Sequence, residues 1–202
     1  MYRNTRFGEL LKGLSRGSFE KVVDKYQADK HSKGFRCWDQ LVAMIYGQVS
    51  GCRSLRELEA GFNSQAVHHY HLGTRHIKRS TLSDANAKKD LRVYQEICNS
   101  LMKSTHKKVR NELNGMLYLL DSTPIQLKGT GYDEWTRSSQ ISRTQGLKAH
   151  MMIASDEDIP VYLDITKPTV TDVLAGREIN LEADATYVFD KGYCDYTWSH
   201  QF

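Results

Sequence analysis

Two aspartates, each closing a short apolar run, are the residues of this chain best placed to do chemistry. MLYLLDST (Met116 to Thr123) carries Asp121, and ATYVFDKGY (Ala185 to Tyr193) carries Asp190. Apolar runs this short, bounded by polar or turn residues, read as buried strands, so each carboxylate falls at the rim of a sheet. Two such groups from one sheet can hold a divalent metal pair, which is the equipment of two-metal phosphodiester chemistry. A site of that kind usually wants at least three carboxylates. Only twelve residues follow Asp190, and Asp195 is the sole acid among them. The chain stops at Ser199-His200-Gln201-Phe202. The expectation is an interrupted protein whose site lacks a ligand.

Other residues gather around this pair in sequence. Ser122 and Thr123 are small hydroxyls that leave room for metal and substrate, and Pro124 marks a break or an edge position. In GLKAHMMIA, Lys148 and His150 alternate onto one face of a strand. A cation and an imidazole beside a metal–phosphate site could position a scissile phosphate. YLDITKPTVTD then brings Lys167, Thr171 and Asp172 to the next loop. Singly these are weak signals, because an Asp at a strand end commonly caps or turns.

The elements that must carry them change character along the chain. Strands are expected at 116–121, around 125–128, at 147–154, 160–166 and 185–190, with a short helix near 172–179 and a polar, glycine-bearing loop over 129–146. The first hundred residues read as helices instead. Ser18 is a candidate cap for a helix through Lys25. Trp38, Leu41, Val42, Ile45, Tyr46 and Val49 form one apolar stripe, which Gly51 ends. Ser54 and Glu57 suggest a capping box for the next helix. A turn-rich stretch with His68, His69, His71 and His76 follows, read as interfacial rather than as a ligand set. Ser80 is the expected cap of a short helix, and a longer helix places Leu91, Tyr94, Cys98 and Leu101 on one face.

Charge separates the same two regions. Up to Arg110 there are 21 Lys and Arg against 10 Asp and Glu, and from Asn111 onward 7 against 14. The basic part suits a polyanion and the acidic part a metal. Arg75, Lys78 and Arg79 precede the short helix; Ser80, Thr81 and Ser83 stand in its first turns, with Asn86, Lys88 and Lys89 after them. Short polar groups flanked by cations suit a DNA groove. No run of about 18 apolar residues is present, so a membrane span is not expected. Four scattered cysteines with no CxxC pair argue against a zinc or disulfide framework and fit a reducing cytoplasm.

Taken in order, LLDST, GLKAHM, TKPTVTD and VFDKGYCDY resemble the first two-thirds of a DDE transposase from bacterial insertion sequences, in the group whose third motif is Tyr-Arg-Glu-Lys. RFGELLKGL, SFEKVVDKY, QLVAMIYGQVSGCRSLRELEAGF and RSTLSDANAKKD resemble the helical domain that precedes that catalytic core. The resemblance implies an α+β or α/β chain: a helical DNA-binding domain over 1–110, then an incomplete ribonuclease H-like mixed-sheet core over 111–202. It makes Asp121 and Asp190 the first and second catalytic aspartates, both binding Mg²⁺ or Mn²⁺. It puts Lys148 and His150 with the DNA-contacting residues. The implied partners are DNA, as transposon ends and target, together with a second copy of the chain or a full-length transposase. The implied activity is cleavage at transposon ends and joining of the 3′-hydroxyl to a target.

The catalytic glutamate of the third motif has no match, and neither do its Tyr, Arg and Lys. Asp195 lies too close to Asp190, and Glu178 precedes it. The expectation is therefore a truncated, catalytically deficient transposase. The alternative is a non-catalytic DNA-binding fragment that regulates or inhibits transposition. A nuclease needing only two aspartates and an inert, poorly folded remnant are weaker readings.

Overall fold

The computed structural model describes residues 5–110, 116–127, 136, 145–155 and 158–195. Two compact units divide within one helix, Met1–Ile97 and Cys98–Phe202.

The first unit is helical: α1 (Arg6–Leu11), α2 (Arg16–Lys25), α3 (Cys37–Val49), α4 (Leu55–Ser64), α5 (Ala66–Leu72), α6 (Arg79–Lys88) and the start of α7 (Leu91–Arg110). Ser15, not Ser18, caps α2, accepting from Ser18 N at 3.3 Å. Either serine would leave Phe19 and Val23 on the buried side, and the extra turn, Arg16-Gly17-Ser18, contains no apolar residue to announce itself. Of the expected α3 stripe, Trp38 and Val42 are buried, Leu41, Ile45 and Tyr46 are half-buried, and Val49 at its end is 64% exposed. Gly51 does end the helix, at φ +67°, with Cys52 N donating to Gly47 O. Ser54 caps α4 through Glu57 N, but the Glu57 carboxylate reaches Arg53 N at 2.9 Å, one residue before the expected partner.

One element, one further start and one face differ from the sequence expectation. The histidine-rich stretch is a helix, α5, rather than a run of turns. Its His69 is buried and stacked on Phe62 at 4.6 Å, with Nε2 3.0 Å from the Phe62 carbonyl. α6 begins at Arg79, with Lys78 rather than Ser80 at the N-cap. The cause is tertiary: the Asn63 amide holds Ile77 through both its N–H (3.0 Å) and its carbonyl (2.8 Å), which keeps the chain extended until Lys78. Among the described side chains of α7, Val93, Ile97 and Met102 are buried, with Tyr94 half-buried beside the first two, and Leu91 is 62% exposed. Both faces satisfy a helical period, and the packing of Phe19 and Tyr26 beneath α7 selects this one. The core is rich in edge-on aromatic pairs, Phe19–Trp38 and Tyr46–Phe62, each at 5.4 Å.

The second unit holds a four-stranded mixed sheet: β1 (Leu117–Gln126), β2 (Gly146–Ala154), β3 (Ile159–Thr166) and β4 (Thr186–Phe189), in the order β3-β2-β1-β4. The first three are an antiparallel meander. The chain then passes through α8 (Asp172–Arg177) and returns as β4, parallel to β1. An antiparallel meander followed by a helical crossover to a parallel strand on β1 is a ribonuclease H-like core. β1 unites the two segments expected at 116–121 and 125–128. Pro124 does not interrupt it, because β4 pairs β1 only as far as Leu120, leaving that side of β1 open at Pro124. The loop expected over 129–146 lies largely outside the described residues. Tyr118, Leu120, Met152, Ala154, Ile179 and Tyr193 form the buried core on one face of the sheet.

Candidate functional site

Asp190 follows the last residue of β4 as expected, but Asp121 lies midway along β1 rather than at a strand end, because β1 continues through Ser122 and Pro124 to Gln126; the two aspartates come together where β4 stops beside β1. The β1–β4 register pairs Leu120 with Phe189, so the next residue on each strand is an aspartate. Asp190 continues in extended backbone at φ −67° and ψ 156°. Neighbouring strands lie about 4.8 Å apart, which puts the two carboxylates within reach of one cation. Alternation leaves Leu119 and Asp121 on the exposed face of β1, opposite Tyr118 and Leu120. That face also shows Met151, Ile165 and Val188 to solvent.

One oxygen of each aspartate is held by the next backbone N–H. Ser122 N donates to Asp121 Oδ1 at 2.7 Å, and Lys191 N to Asp190 Oδ1 at 2.5 Å. Asp190 thereby caps a short 3₁₀ turn, Lys191–Tyr193. The donor set is two hard carboxylates with one oxygen each turned to a backbone amide, which fits part of a Mg²⁺ or Mn²⁺ shell. Among the described residues, no group of three or more His, Cys, Asp or Glu is arranged to hold a metal. Asp195 is engaged with Arg177, whose Nε donates to it at 2.9 Å, and so takes a structural part.

Lys148 and His150 do not join the aspartates. Asp121 stands across from Met151 in β2, so its neighbours Lys148 and His150 lie on the opposite face of the sheet. Lys148 Nζ holds the start of α8, donating to Val170 O at 3.0 Å and Asp172 Oδ1 at 3.1 Å. Gly192 packs against that same carboxylate: a Cβ there would sit 2.9 Å from Asp172 Oδ2. His150 is fully buried, with Nδ1 2.9 Å from Tyr193 Oη and Nε2 2.9 Å from Thr166 Oγ1. Burial pushes the imidazole below its ordinary pKa, and nearby Lys148 adds to this against Asp172 and Asp164. Burial likewise pushes the Tyr193 phenol up to about 12. Periodicity could not have singled out Tyr193. Its only signal is its place three residues after Asp190.

In the helical unit, Arg75, Lys78, Arg79, Ser80, Ser83 and Lys88 are exposed, and Thr81 is half-buried. Arg75 approaches the buried carboxylate of Asp39 at 3.9 Å. Asn86 already accepts from Gln40 Nε2 at 2.6 Å. Lys89 is half-buried against Asp29, Ser32 and the Ala28 carbonyl, so its ammonium serves the fold.

With this geometry in hand, the likenesses to known proteins fall on the same two regions. Residues 114–201 match the transposase DDE domain family, and residues 2–75 match a family described as a domain of unknown function (DUF4372). The chain is 43% identical over 118 residues to a protein of Sinorhizobium fredii (strain NBRC 101917 / NGR234) named "Putative transposase y4zB". That alignment takes in 58% of this chain and 32% of the relative, so the chain spans about a third of that protein's length. No solved structure matches it. Among the described residues, no helix is long and apolar enough to cross a membrane.

Proposed function

We propose that this chain is a DDE transposase of the insertion-sequence type, in which a basic helical region binds DNA and Asp121 and Asp190 hold a divalent cation for phosphodiester chemistry. The observation that carries this reading is the side-by-side placement of the two aspartates, Asp121 within β1 and Asp190 just past the end of the adjacent parallel β4. Each would offer the carboxylate oxygen that the backbone N–H leaves open. A bound Mg²⁺ or Mn²⁺ would supply charge stabilisation at the phosphate and activation of the attacking oxygen. The chain's own part is to fix two negative oxygens at exposed positions on adjacent strands. Transposon ends and target DNA would be its substrates.

A second reading, a DNA-binding regulator of transposition without catalysis, is favoured by the ligand count of two among the described residues. One experiment separates the two: a labelled duplex carrying the terminal repeat of the element is followed for binding and for Mg²⁺- or Mn²⁺-dependent cleavage in the same sample. Metal-dependent cleavage supports the transposase. Binding without cleavage supports the regulator, and absence of both removes DNA as the substrate.

The cations that remain exposed are the ones to alter. Replacing Lys78, Arg79 and Lys88 together with Ala is expected to weaken duplex binding and to reduce the log-affinity versus log-salt slope by about 2–3, one step per lost phosphate contact. A titration across salt concentrations checks it, and an unaltered slope would remove α6 from the interface.

A further inference from the structure

The helical unit carries a cavity that the contacts proposed for α6 do not use. It is walled by α1, the first residue of α2 and α5, with Trp38 of α3 behind them. Its volume is about 570 Å³, inside the range of about 300–1,000 Å³ for sites that take a small ligand. Two cations, Lys12 and Arg16, and two imidazoles, His68 and His71, line it together with the rings of Trp38 and Tyr70. Among its described lining residues there is no Asp or Glu. Such a wall suits an anion that also has a flat aromatic face.

The fold sets the two parts of this wall differently. Trp38 is 8% exposed and is held by its indole N–H, which donates to the Leu72 carbonyl at 2.9 Å. The Arg16 guanidinium lies over that ring, 5.7 Å from its centroid. Gly73 ends α5 at φ +64° and makes room for it, since a Cβ there would collide with Arg16 Nη1. Arg16 Nε donates to Glu20 at 3.0 Å, and among the described residues Glu20 is its one hydrogen-bond partner. The two Nη groups are left as a fork of the kind that takes a phosphate. Lys12 bridges to Glu9 at 2.8 Å. Both ion pairs are about half exposed, and exposed pairs contribute little, so neither carboxylate holds its cation against a phosphate. Tyr70 is the opposite of Trp38. It is 88% exposed, and its ring meets that of His71 at 5.5 Å and nearly at right angles. A ring left this bare adds little to the core and offers a surface for stacking.

We infer that this cavity binds a nucleotide of single-stranded DNA, with the phosphate on Arg16 and Lys12 and the base on Tyr70. This rests on the reading of the helical unit as DNA-binding and names the form of DNA that one part of it takes. Inside a duplex the bases present only their edges to a side chain. A ring at a cavity mouth can stack only on a base that is unpaired, and it does so with any of the four because each has a π-face.

The test uses the full chain and a labelled oligothymidylate strand, with a blunt duplex and free dTMP beside it. Tyr70→Ala removes an exposed ring and should leave thermal stability unchanged. It is expected to weaken binding of the strand about 5-fold or more, the low end for one lost base stack. Tyr70→Phe keeps the ring and should bind as the unaltered chain does. Arg16→Gln should weaken the strand and reduce its log-affinity versus log-salt slope by about 0.7, the value for one phosphate of a single strand. Affinity for the blunt duplex should hold in all three variants. If Tyr70→Ala binds the strand as well as the unaltered chain, or if the unaltered chain binds the duplex but not the strand, the inference is overturned and the DNA reading of the helical unit stands. Equal losses on strand and duplex would put these residues on a duplex surface and overturn it too. Binding of dTMP as tight as that of the strand, and equally sensitive to Tyr70→Ala, would assign the cavity to a free nucleotide instead. If the unaltered chain binds neither strand nor duplex, the DNA-binding reading itself falls.

Discussion

Asp121→Asn is expected to abolish Mn²⁺-dependent stabilisation of the second unit and to lower metal affinity by at least about 100-fold, since a ligand itself is lost rather than a group that orients it. The substitution is nearly isosteric. Asn can still accept from Ser122 N, the residue is exposed, and the strand keeps its register. Without metal the sign should reverse. Two like charges side by side on neighbouring strands repel, and relieving such a pair is worth about 0.2–1 kcal/mol. The variant should therefore melt slightly above the unaltered chain in chelator and clearly below it in saturating Mn²⁺, where ligand binding to the folded state raises the unaltered protein's midpoint. DNA affinity should be unchanged, because the exposed cations of α6 lie in the other unit. Thermal melts with and without Mn²⁺, together with duplex binding, check all three arms. An Mn²⁺-induced rise that survives the substitution would place the metal elsewhere.

Lys89→Ala is expected to destabilise the helical unit by about 3 kcal/mol, the low end of the cost of breaking a buried ion pair from one side. The Asp29 carboxylate would stay behind, accepting from Cys37 N at 2.9 Å but without its cation. With Lys89 side chain 10% and Asp29 21% exposed, water compensates little. The pair joins the segment after α2 to the start of α3 and the end of α6, so its loss should loosen all three. Burial alone would raise the Asp29 pKa, but the Lys89 ammonium and the Cys37 N–H outweigh it and hold the carboxyl below its ordinary value. A carboxyl depressed in the folded state contributes stability that is present above its unfolded pKa and is lost as pH falls through the folded one. The helical unit should thus weaken on acidification below about pH 4, and Lys89→Ala should remove that part of the acid limb. Hydrogen exchange of the α3 amides against pH, in both proteins, reads the effect. Protection lowered by less than about 0.5 kcal/mol would show that the pair carries little. DNA affinity of the folded variant should hold, in contrast to the triple substitution in α6.

Much of the architecture is legible in the sequence. The apolar runs that end in Asp121 and Asp190 are strands, the helical period covers the first hundred residues, and the order of elements is that of a ribonuclease H-like core. These features are local. A strand shows as a short apolar run, a helix as a recurring stripe, and a terminus as a serine or a glycine in the right place. The departures have different causes. Ser15 and Ser18 suit the cap of α2 equally well by the local rule, and so do the two faces of α7 by period. Lys78 displaces Ser80, the better cap, because a contact distant in sequence, the Asn63 clamp on Ile77, holds the chain extended. The histidine stretch is a helix where turns are expected.

The site divides in the same way. The chain by itself determined which residues could do chemistry, because carboxylate chemistry and strand ends are properties of short segments. Tertiary structure alone decided which of them meet. The parallel pairing of β4 with β1 puts Asp190 beside Asp121 across more than sixty intervening residues. The pleat of β2 sends Lys148 and His150 to the other face, where burial makes them braces, and the same core draws in Tyr193. Register and face are set by which strands hydrogen-bond to which, and a one-residue shift would exchange the two faces.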